Sequence, residues 1–331
     1  MSGAEIKPPI PARSFPMRIA VRLIQLGALG VAAASLLGHL SRHHFLLELF
    51  SHFRVQYAAL LIGAAMLLLI VRSRRLAALA LLGALLDVAL IAPRLLPQAR
   101  AEAMPGASAI RLLVQNVNTS NSHFHRVLEL IERENPDVIL LLEVDQRWME
   151  AMRPLDAAYP HSISSPRTDN FGIALWSRIE LRDARIEPMT DSRVPTIVAD
   201  VLCSAGAFRL IGTHTLPPVS RAYAATRNEQ LRLVARDLNS HTNLPTIVCG
   251  DLNVSPWSAH FRDLLYEGGL SDTARGFGLQ RTWPASSVLM RIPIDHILTT
   301  NGVSTTNRRV GPDVGSDHLG LIADLIVSAR P

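Results

Sequence analysis

Cysteine is almost missing from this chain of 331 residues. Cys203 and Cys249 are its only two, and they show no metal-type spacing. Each ends an apolar run, Val-Leu-Cys and Thr-Ile-Val-Cys, where small buried side chains are common, so two free buried thiols are expected and not a disulfide. Internal repeats and low-complexity tracts are also lacking, which leaves a chain of distinct globular or membrane units. A basic excess is missing where it would matter most. The net charge is +5 overall, yet residues 1–104 carry 11 Lys+Arg against 4 Asp+Glu, and residues 105–331 carry 22 against 24. The basic character therefore belongs to the first third. The remainder lacks the positive surplus expected of a domain that grips a nucleic-acid backbone.

What is present in the first third is apolar. Residues 23–40, 55–71 and 76–92 form three nearly uninterrupted runs, each about the length that crosses a bilayer as a helix. Arg18 and Arg22 before the first run would suit a cleaved signal peptide, but two further spans directly after it favour a retained anchor. The expected organisation is a cytoplasmic tail at 1–22, three transmembrane helices within 23–92, a linker at 93–105 and a catalytic domain at 106–331. Lys7, Arg13, Arg18, Arg22, Arg72, Arg74 and Arg75 fall on one side of these spans, and Arg42, Arg54, Arg94 and Arg100 on the other. Seven charges against four predict a cytoplasmic N-terminus in the inner membrane, with the last domain outside the cytoplasm. Asp87, in the middle of the third run, is expected to face the bundle and bond a hydroxyl such as Ser35.

Beyond residue 105 the pattern changes to short apolar runs separated by polar turns. Ile110–Gln115 and Val138–Leu142 read as strands, with a helix over 123–134 on the spacing of Phe124, Val127, Leu128, Leu130 and Ile131. Further strands are predicted at 171–177, 194–203, 207–213, 245–250, 293–298 and 319–327. A long helix is predicted over 219–239, with Leu231, Leu233, Val234 and Leu238 inward. Many strands with few interleaved helices predict a two-sheet core with helices outside.

The chemistry sits where these runs end. Asn116 follows the first strand and Glu143 the second; His214, Asp251 with Asn253, Asp295 with His296, and Asp317 with His318 close later runs. Each alone is an ordinary turn residue or a structural histidine. Six strand ends in a row bearing hard oxygen donors or imidazoles are harder to set aside. Oxygen donors without thiols suit Mg²⁺ or Mn²⁺, and Asn116, Glu143 and Asp317 would suffice to hold one.

These motifs resemble the endonuclease/exonuclease/phosphatase superfamily, the fold of DNase I, neutral sphingomyelinases and inositol phosphatases. They are Gln-Asn-Val-Asn at 115–118, Pro-Asp-Val-Ile-Leu-Leu-Leu-Glu at 136–143, Thr-His-Thr at 213–215, Gly-Asp-Leu-Asn at 250–253, Ile-Asp-His-Ile at 294–297 and Ser-Asp-His at 316–318. The resemblance implies a four-layered α/β sandwich over about residues 110–328, in which two packed mixed sheets are flanked by helices. It implies that Asn116 and Glu143 hold the metal with Asp317 beside it. Asp251 and Asn253 would position water and phosphate or help bind the metal. His318 would act as general base or phosphate stabiliser, oriented by Asp295, and His214 would donate to a phosphate oxygen. The family's frequent phosphate-facing tyrosine has no counterpart in place, and Asn170-Phe171-Gly172 occupies that region.

The expected activity is that of a membrane-anchored metal-dependent phosphoesterase acting outside the cytoplasm on a lipid-linked phosphate or diphosphate. Bacterial members with three spans and an outward domain, such as glycopeptide-resistance membrane phosphatases, are similar in layout. The lipid bilayer and a phosphate-bearing substrate are the expected partners. The apolar stretch in Trp283–Met290 could touch lipid. The alternatives are an extracytoplasmic nuclease of the same fold, disfavoured by the acidic domain, and a non-enzymatic membrane scaffold, disfavoured by the intact set of polar strand ends.

Overall fold

The computed structural model describes residues 15–97, 105–240 and 244–328. Three of its helical segments are long and apolar enough to cross a membrane: Phe15–Gly38, Phe45–Ile70 and Arg74–Leu95. The first is helix α1 and the last α4. The middle one strings together a short helix α2 (Phe45–Leu49), a 3-10 turn and helix α3 (Arg54–Ile70). Small side chains line the interior of the bundle, among them Ala28, Ala65, Ala77, Ala80 and Ala84 around Leu61 and Leu68. Leu23, Leu60, Met66 and Leu85 face outward. Small residues inside and large apolar residues outside are how helices pack when lipid replaces water.

Two boundaries differ from the sequence reading. The first helix begins at Phe15, so residues 15–22 of the expected tail are helical, because a helix continues past its apolar stretch until a breaker intervenes. The third runs on to Leu95 and takes in Pro93 near its end, which shortens the expected linker. Residues 1–14 of the tail and 98–104 of the linker lie outside the described residues. Asp87 accepts from Ser35 as expected, and Arg54 adds a buried ion pair at 2.9 Å.

The rest of the chain forms two six-stranded mixed sheets. One is ordered β11-β12-β1-β2-β4-β3 and the other β5-β6-β7-β8-β10-β9. Their members are β1 (Ser108–Asn116), β2 (Val138–Leu142), β3 (His161–Ser165), β4 (Ile173–Ser177), β5 (Leu181–Pro188), β6 (Pro195–Cys203), β7 (Gly206–Thr213), β8 (Thr246–Asp251), β9 (Ser271–Asp272), β10 (Asp295–Thr299), β11 (Val303–Val310) and β12 (Leu321–Val327). Strand periodicity sorts side chains between layers. Leu112, Val114, Leu140, Ile197, Leu210 and Ile247 fill the space between the sheets. Leu113, Ile139 and Leu141 turn outward under α5 (Phe124–Glu134) and α6 (Gln146–Ala151). Val198, Ile211 and Val248 meet α7 (Arg221–Ser240) and α8 (Ala259–Glu267) on the opposite outer face. Helix, sheet, sheet and helix make the four-layered sandwich.

Leu233 is only half-buried, and Ala235 takes the inward position in α7 beside Leu231, Val234 and Leu238. Both cysteines are free. Cys249 is buried between the sheets, whereas Cys203, at the very end of β6, is only half-buried.

The domain is clamped onto the helical bundle. Glu48 of α2 is fully buried, accepts from Ser258 Oγ at 2.6 Å and pairs with the Arg227 guanidinium of α7. Arg94 pairs with Asp272, Trp257 donates to the Leu90 carbonyl at 3.3 Å, and Ala259 N–H donates to Ser41 Oγ at 3.1 Å. All these contacts lie at one end of the bundle, away from Arg72, Arg74 and Arg75.

Candidate active site

Strand ends converge at one rim of the two sheets. In the first sheet β1 delivers Asn116, and the parallel pairing of Asn116 with Leu142 sets Glu143 just past the end of β2. In the second sheet the antiparallel register places Asp295 directly opposite Asp251. Backbone geometry there is unusual. Asn118, Glu143 and Asn253 hold φ of 58°, 62° and 47°, conformations that cost non-glycine residues energy and gather at functional sites. Gly250 has φ 138°, and a Cβ there would sit 1.9 Å from the Thr213 carbonyl oxygen, so only glycine lets β8 deliver Asp251 beside His214.

The side chains form a continuous network. Asn116 Nδ2 donates to Glu143 Oε1 at 2.9 Å and reaches Asp251 Oδ2 at 3.3 Å, bridging the two sheets. His318 Nδ1 lies 2.9 Å from Asp295 Oδ2, and its Nε2 lies 3.6 Å from Asp251 Oδ2. His214 Nε2 approaches the same Asp251 oxygen at 3.5 Å and Asn253 Nδ2 at 3.4 Å. Asn253 N–H donates to Asp251 Oδ1 at 2.9 Å, and its side chain donates to the Thr215 carbonyl at 2.8 Å. Asp317 is held nearer the surface by Asn118 Nδ2 at 2.7 Å and Trp283 Nε1 at 3.1 Å. All eight residues anticipated from the sequence thus reach one place. Asn118, Trp283 and Thr119, whose N–H and hydroxyl bond Glu143, were not anticipated. Only Asn118 carried a signal, as the second asparagine of Gln-Asn-Val-Asn.

His296 is elsewhere. It alternates with Asp295 on β10 and so faces the outer layer, where it meets Phe261 at 4.5 Å between ring centres and the Val254 carbonyl at 2.8 Å from Nε2. Asn170-Phe171 stands where the tyrosine was sought, with the Phe171 ring 5.0 Å from that of His214. Tyr223 of α7 lines the cleft together with Phe171 and His214.

Electrostatics divides the groups. Burial pushes up the Glu143 carboxyl against the hydrogen bonds from Asn116 and Thr119. Burial, reinforced by Asp295, raises the Asp251 carboxyl as well. Burial also works on Asp295, but the His318 imidazolium outweighs it and keeps that carboxylate ionised. For His318, burial opposes the charge while Asp295 and Asp251 overcome it, so the ring is held protonated well above its usual range. His214, buried and facing that charge, is pushed down to about 4 and stays neutral.

Three carboxyl groups, Glu143, Asp251 and Asp295, therefore crowd a largely desolvated pocket with one imidazolium among them, and Asp317 stands exposed at its edge. Asp251, Asp295 and His318 offer ligand atoms within 4.8 Å of one another. Since Asp295 and His318 already engage each other, the unneutralised charge lies on the side of Glu143, Asp251 and Asp317. Raised carboxyls with oxygen donors in excess fit a hard divalent cation.

This fold and this site define a metal-dependent phosphoesterase: a carboxylate-rich pocket at the ends of two packed sheets, with a carboxylate-held histidine facing it. The chain belongs to the Endonuclease/Exonuclease/phosphatase family, whose pattern matches residues 113–318. That family is divalent-metal dependent. No curated protein matches the chain. Among solved structures, TDP2 from D. rerio, complexed with a single-strand DNA product, is similar at 16% identity and a TM-score of 0.57, covering 66% of this chain and 99% of its own. An endonuclease/exonuclease/phosphatase family protein from Bacteroides thetaiotaomicron is similar at 17% and 0.56, covering 67% and 99%. The 3′ phosphatase NExo from Neisseria, bound to a product DNA hairpin, is similar at 20% and 0.55, covering 65% and 98%. At these identities the likeness is one of fold.

Proposed function

We propose that the chain is a membrane-anchored phosphoesterase of the inner membrane that acts outside the cytoplasm on a lipid-linked phosphate or diphosphate. One observation carries this reading: the catalytic rim is fixed against the end of the helical bundle by buried contacts. Gln56 of α3 donates to the Leu289 and Arg291 carbonyls, which holds the loop carrying exposed Val288, Leu289 and Met290 beside that helix. An apolar loop tip next to a membrane helix favours a cleft at the height of lipid head groups, where anchoring raises the effective concentration of substrate. The orientation rests on the seven-to-four charge bias, and an odd number of candidate spans, three, favours a domain on the side opposite the N-terminus. Three of the four opposing arginines, Arg42, Arg54 and Arg94, are engaged with Asp263, Asp87 and Asp272.

In this reading Asn116, Glu143 and Asp317 hold Mg²⁺ or Mn²⁺, which supplies neutralisation of charge on the phosphoryl oxygens when bound. Asp251, its proton affinity raised, accepts a proton from the attacking water, and Asn253 orients that water through its contact with Asp251. His318, kept charged by Asp295, stabilises the phosphoryl oxygens, a role its protonation favours over that of general base. His214 is placed to donate a hydrogen bond to a phosphate oxygen.

Two of the structural neighbours hold DNA products, which makes a nuclease the reading to exclude. The full chain with Mg²⁺ is to be offered a prenyl diphosphate, a lysophospholipid and plasmid DNA. Release of phosphate from a lipid-linked substrate is expected. Rapid plasmid nicking that requires His318, with the lipids untouched, overturns the proposal.

A further inference from the structure

The space in front of the catalytic residues opens into a cavity of 650 Å³, and part of its wall does not belong to the catalytic domain. Glu143, His214, Asp251, Asn253 and His318 form its polar end. Leu49, the last residue of α2, and His52 and Phe53 of the 3-10 turn before α3 form part of the wall. Pro217, Pro218 and Val219 of the loop before α7 add further apolar surface, and Ile292 and Ile294 contribute beside β10. Asp169, Asn170 and His52 are further polar members of the lining, but the walls are mostly apolar, and such a cavity with convergent polar groups at one end is the form of a site for a molecule with one charged head and one aliphatic portion.

We propose that this cavity is a chain-binding subsite. The anchor's Leu49 and Phe53 seat the first part of the aliphatic chain carried by the phosphoester, while the phosphate lies against the carboxylate and histidine cluster. The inference rests on the lipid-phosphate reading above and deepens it: the anchor is part of the substrate site and not only a tether.

Two features support this. First, the wall is held in place before any substrate arrives. Glu48, adjacent to Leu49, is locked by Arg227 and Ser258, both on the catalytic side. Arg227 in turn donates to the Asn253 carbonyl at 2.7 Å, so one guanidinium fixes the anchor wall and a site residue together. Preorganisation of this kind lowers the ordering cost of binding. Second, the cavity has an apolar way out. Val219 is 74% exposed and Tyr223 44%, and both line the cavity at the start of α7. A chain longer than the cavity can therefore continue outward over apolar surface. A nucleic-acid substrate would instead need lysine or arginine side chains to follow its backbone, and among the described residues none lines the cavity; the charged His318 imidazole stands at its catalytic end.

The test uses the full chain in detergent or nanodiscs with a ladder of monomeric alkyl phosphoesters, from a methyl ester upward. With the wild-type protein, kcat/KM is expected to rise about three- to fourfold per methylene while the cavity fills, then to level off. Leu49→Trp, which occupies the cavity, is expected to bring the plateau to a shorter chain. Phe53→Ala is expected to lower the long-to-short ratio about tenfold, mainly through KM. A diazirine-bearing alkyl phosphate is expected to label residues 45–53, which gives a readout that survives poor folding of either variant. If lipid phosphoesters are hydrolysed but the ladder is flat, or neither variant moves the ratio and no label reaches 45–53, this inference fails and the lipid-phosphate reading stands. If no chain-bearing ester is hydrolysed while DNA is, both fail. Acyl- and prenyl-bearing substrates compared at equal carbon number distinguish the two sources of such a chain.

Discussion

Glu143 concentrates the chemistry of single residues here: a carboxylate at the end of an all-apolar strand, in left-handed backbone geometry, held by hydrogen bonds from Asn116 and Thr119. Replacing it with Gln keeps the shape and removes the charge. Several kcal/mol of transition-state stabilisation should go with the metal, so turnover is expected to fall about 10³-fold with the melting temperature little changed. Metal dependence surviving that change would remove Glu143 from the ligand set. Asp295→Asn tests positioning. Without its carboxylate partner His318 loses the interaction that keeps it charged, and turnover is expected to drop about 10²- to 10⁴-fold. Histidine NMR should show the His318 ring titrating closer to neutrality in that variant; a ring that stays protonated as before contradicts the electrostatic account. Because burial and Asp295 raise Asp251, divalent-ion uptake should release protons, and metal affinity should increase with pH through neutrality. A pH-independent affinity measured by calorimetry would show that Asp251 is not coupled to the ion. These residues were legible because each ends an apolar run. Trp283 and Thr119 were not, since their roles are set by approaches across the fold that leave no local pattern.

Alternation along a strand explains why neighbours at the element scale differ in role. On β10, Asp295 faces the cleft and His296 faces α8, where burial pushes the imidazole down to about 4. Unfolded, that ring binds its proton near pH 6.5, so the unfolded state gains protons first as pH falls. The stabilisation is present above pH 6.5 and is lost as pH drops toward 4, by about 3 kcal/mol for this group. The slope of stability against pH in that window is expected to lessen in His296→Gln, and an unchanged slope would exclude this histidine as its source. The strands missed from the sequence, β3, β5, β9 and β11, are the edge strands of the two sheets and are rich in polar residues, such as Leu181–Pro188 with its Arg182, Asp183, Arg185 and Glu187. Edge strands carry charge against unwanted pairing and so lack the apolar run that marks a central strand. The buried pair Glu48–Arg227 joins two elements 179 residues apart. Glu48→Gln leaves Arg227 buried and unpaired, at a cost of about 3–5 kcal/mol. Thermal unfolding of the full chain in detergent should reveal this as a clear fall in midpoint, and no change would mean that the clamp adds nothing.

At the scale of the whole molecule, the domain boundary is not a clean cut. Removing residues 1–97 uncovers Arg227, Trp257 and Asp272, which the intact chain buries against α2 and α4. The fragment 105–331 is expected to melt lower than the full chain and to lose its preference for long-chain substrates while still hydrolysing short esters. Equal stability and equal preference would show that the helices are only a tether. A reporter fused after Pro331 should be active outside the cytoplasm, and activity confined to the cytoplasm reverses the topology. Hydropathy and the pattern of strand ends were enough to determine three apolar helices and an α/β domain behind them, because periodicity and run length are local properties of the chain, and the strand-end motifs, through their resemblance to a family, pointed to eight polar residues of one site. Only the tertiary structure decided that Leu49, His52 and Phe53 of the anchor share a cavity with Asp251 and His318. Contacts between residues about two hundred positions apart depend on how two folded units dock, and no local spacing encodes that.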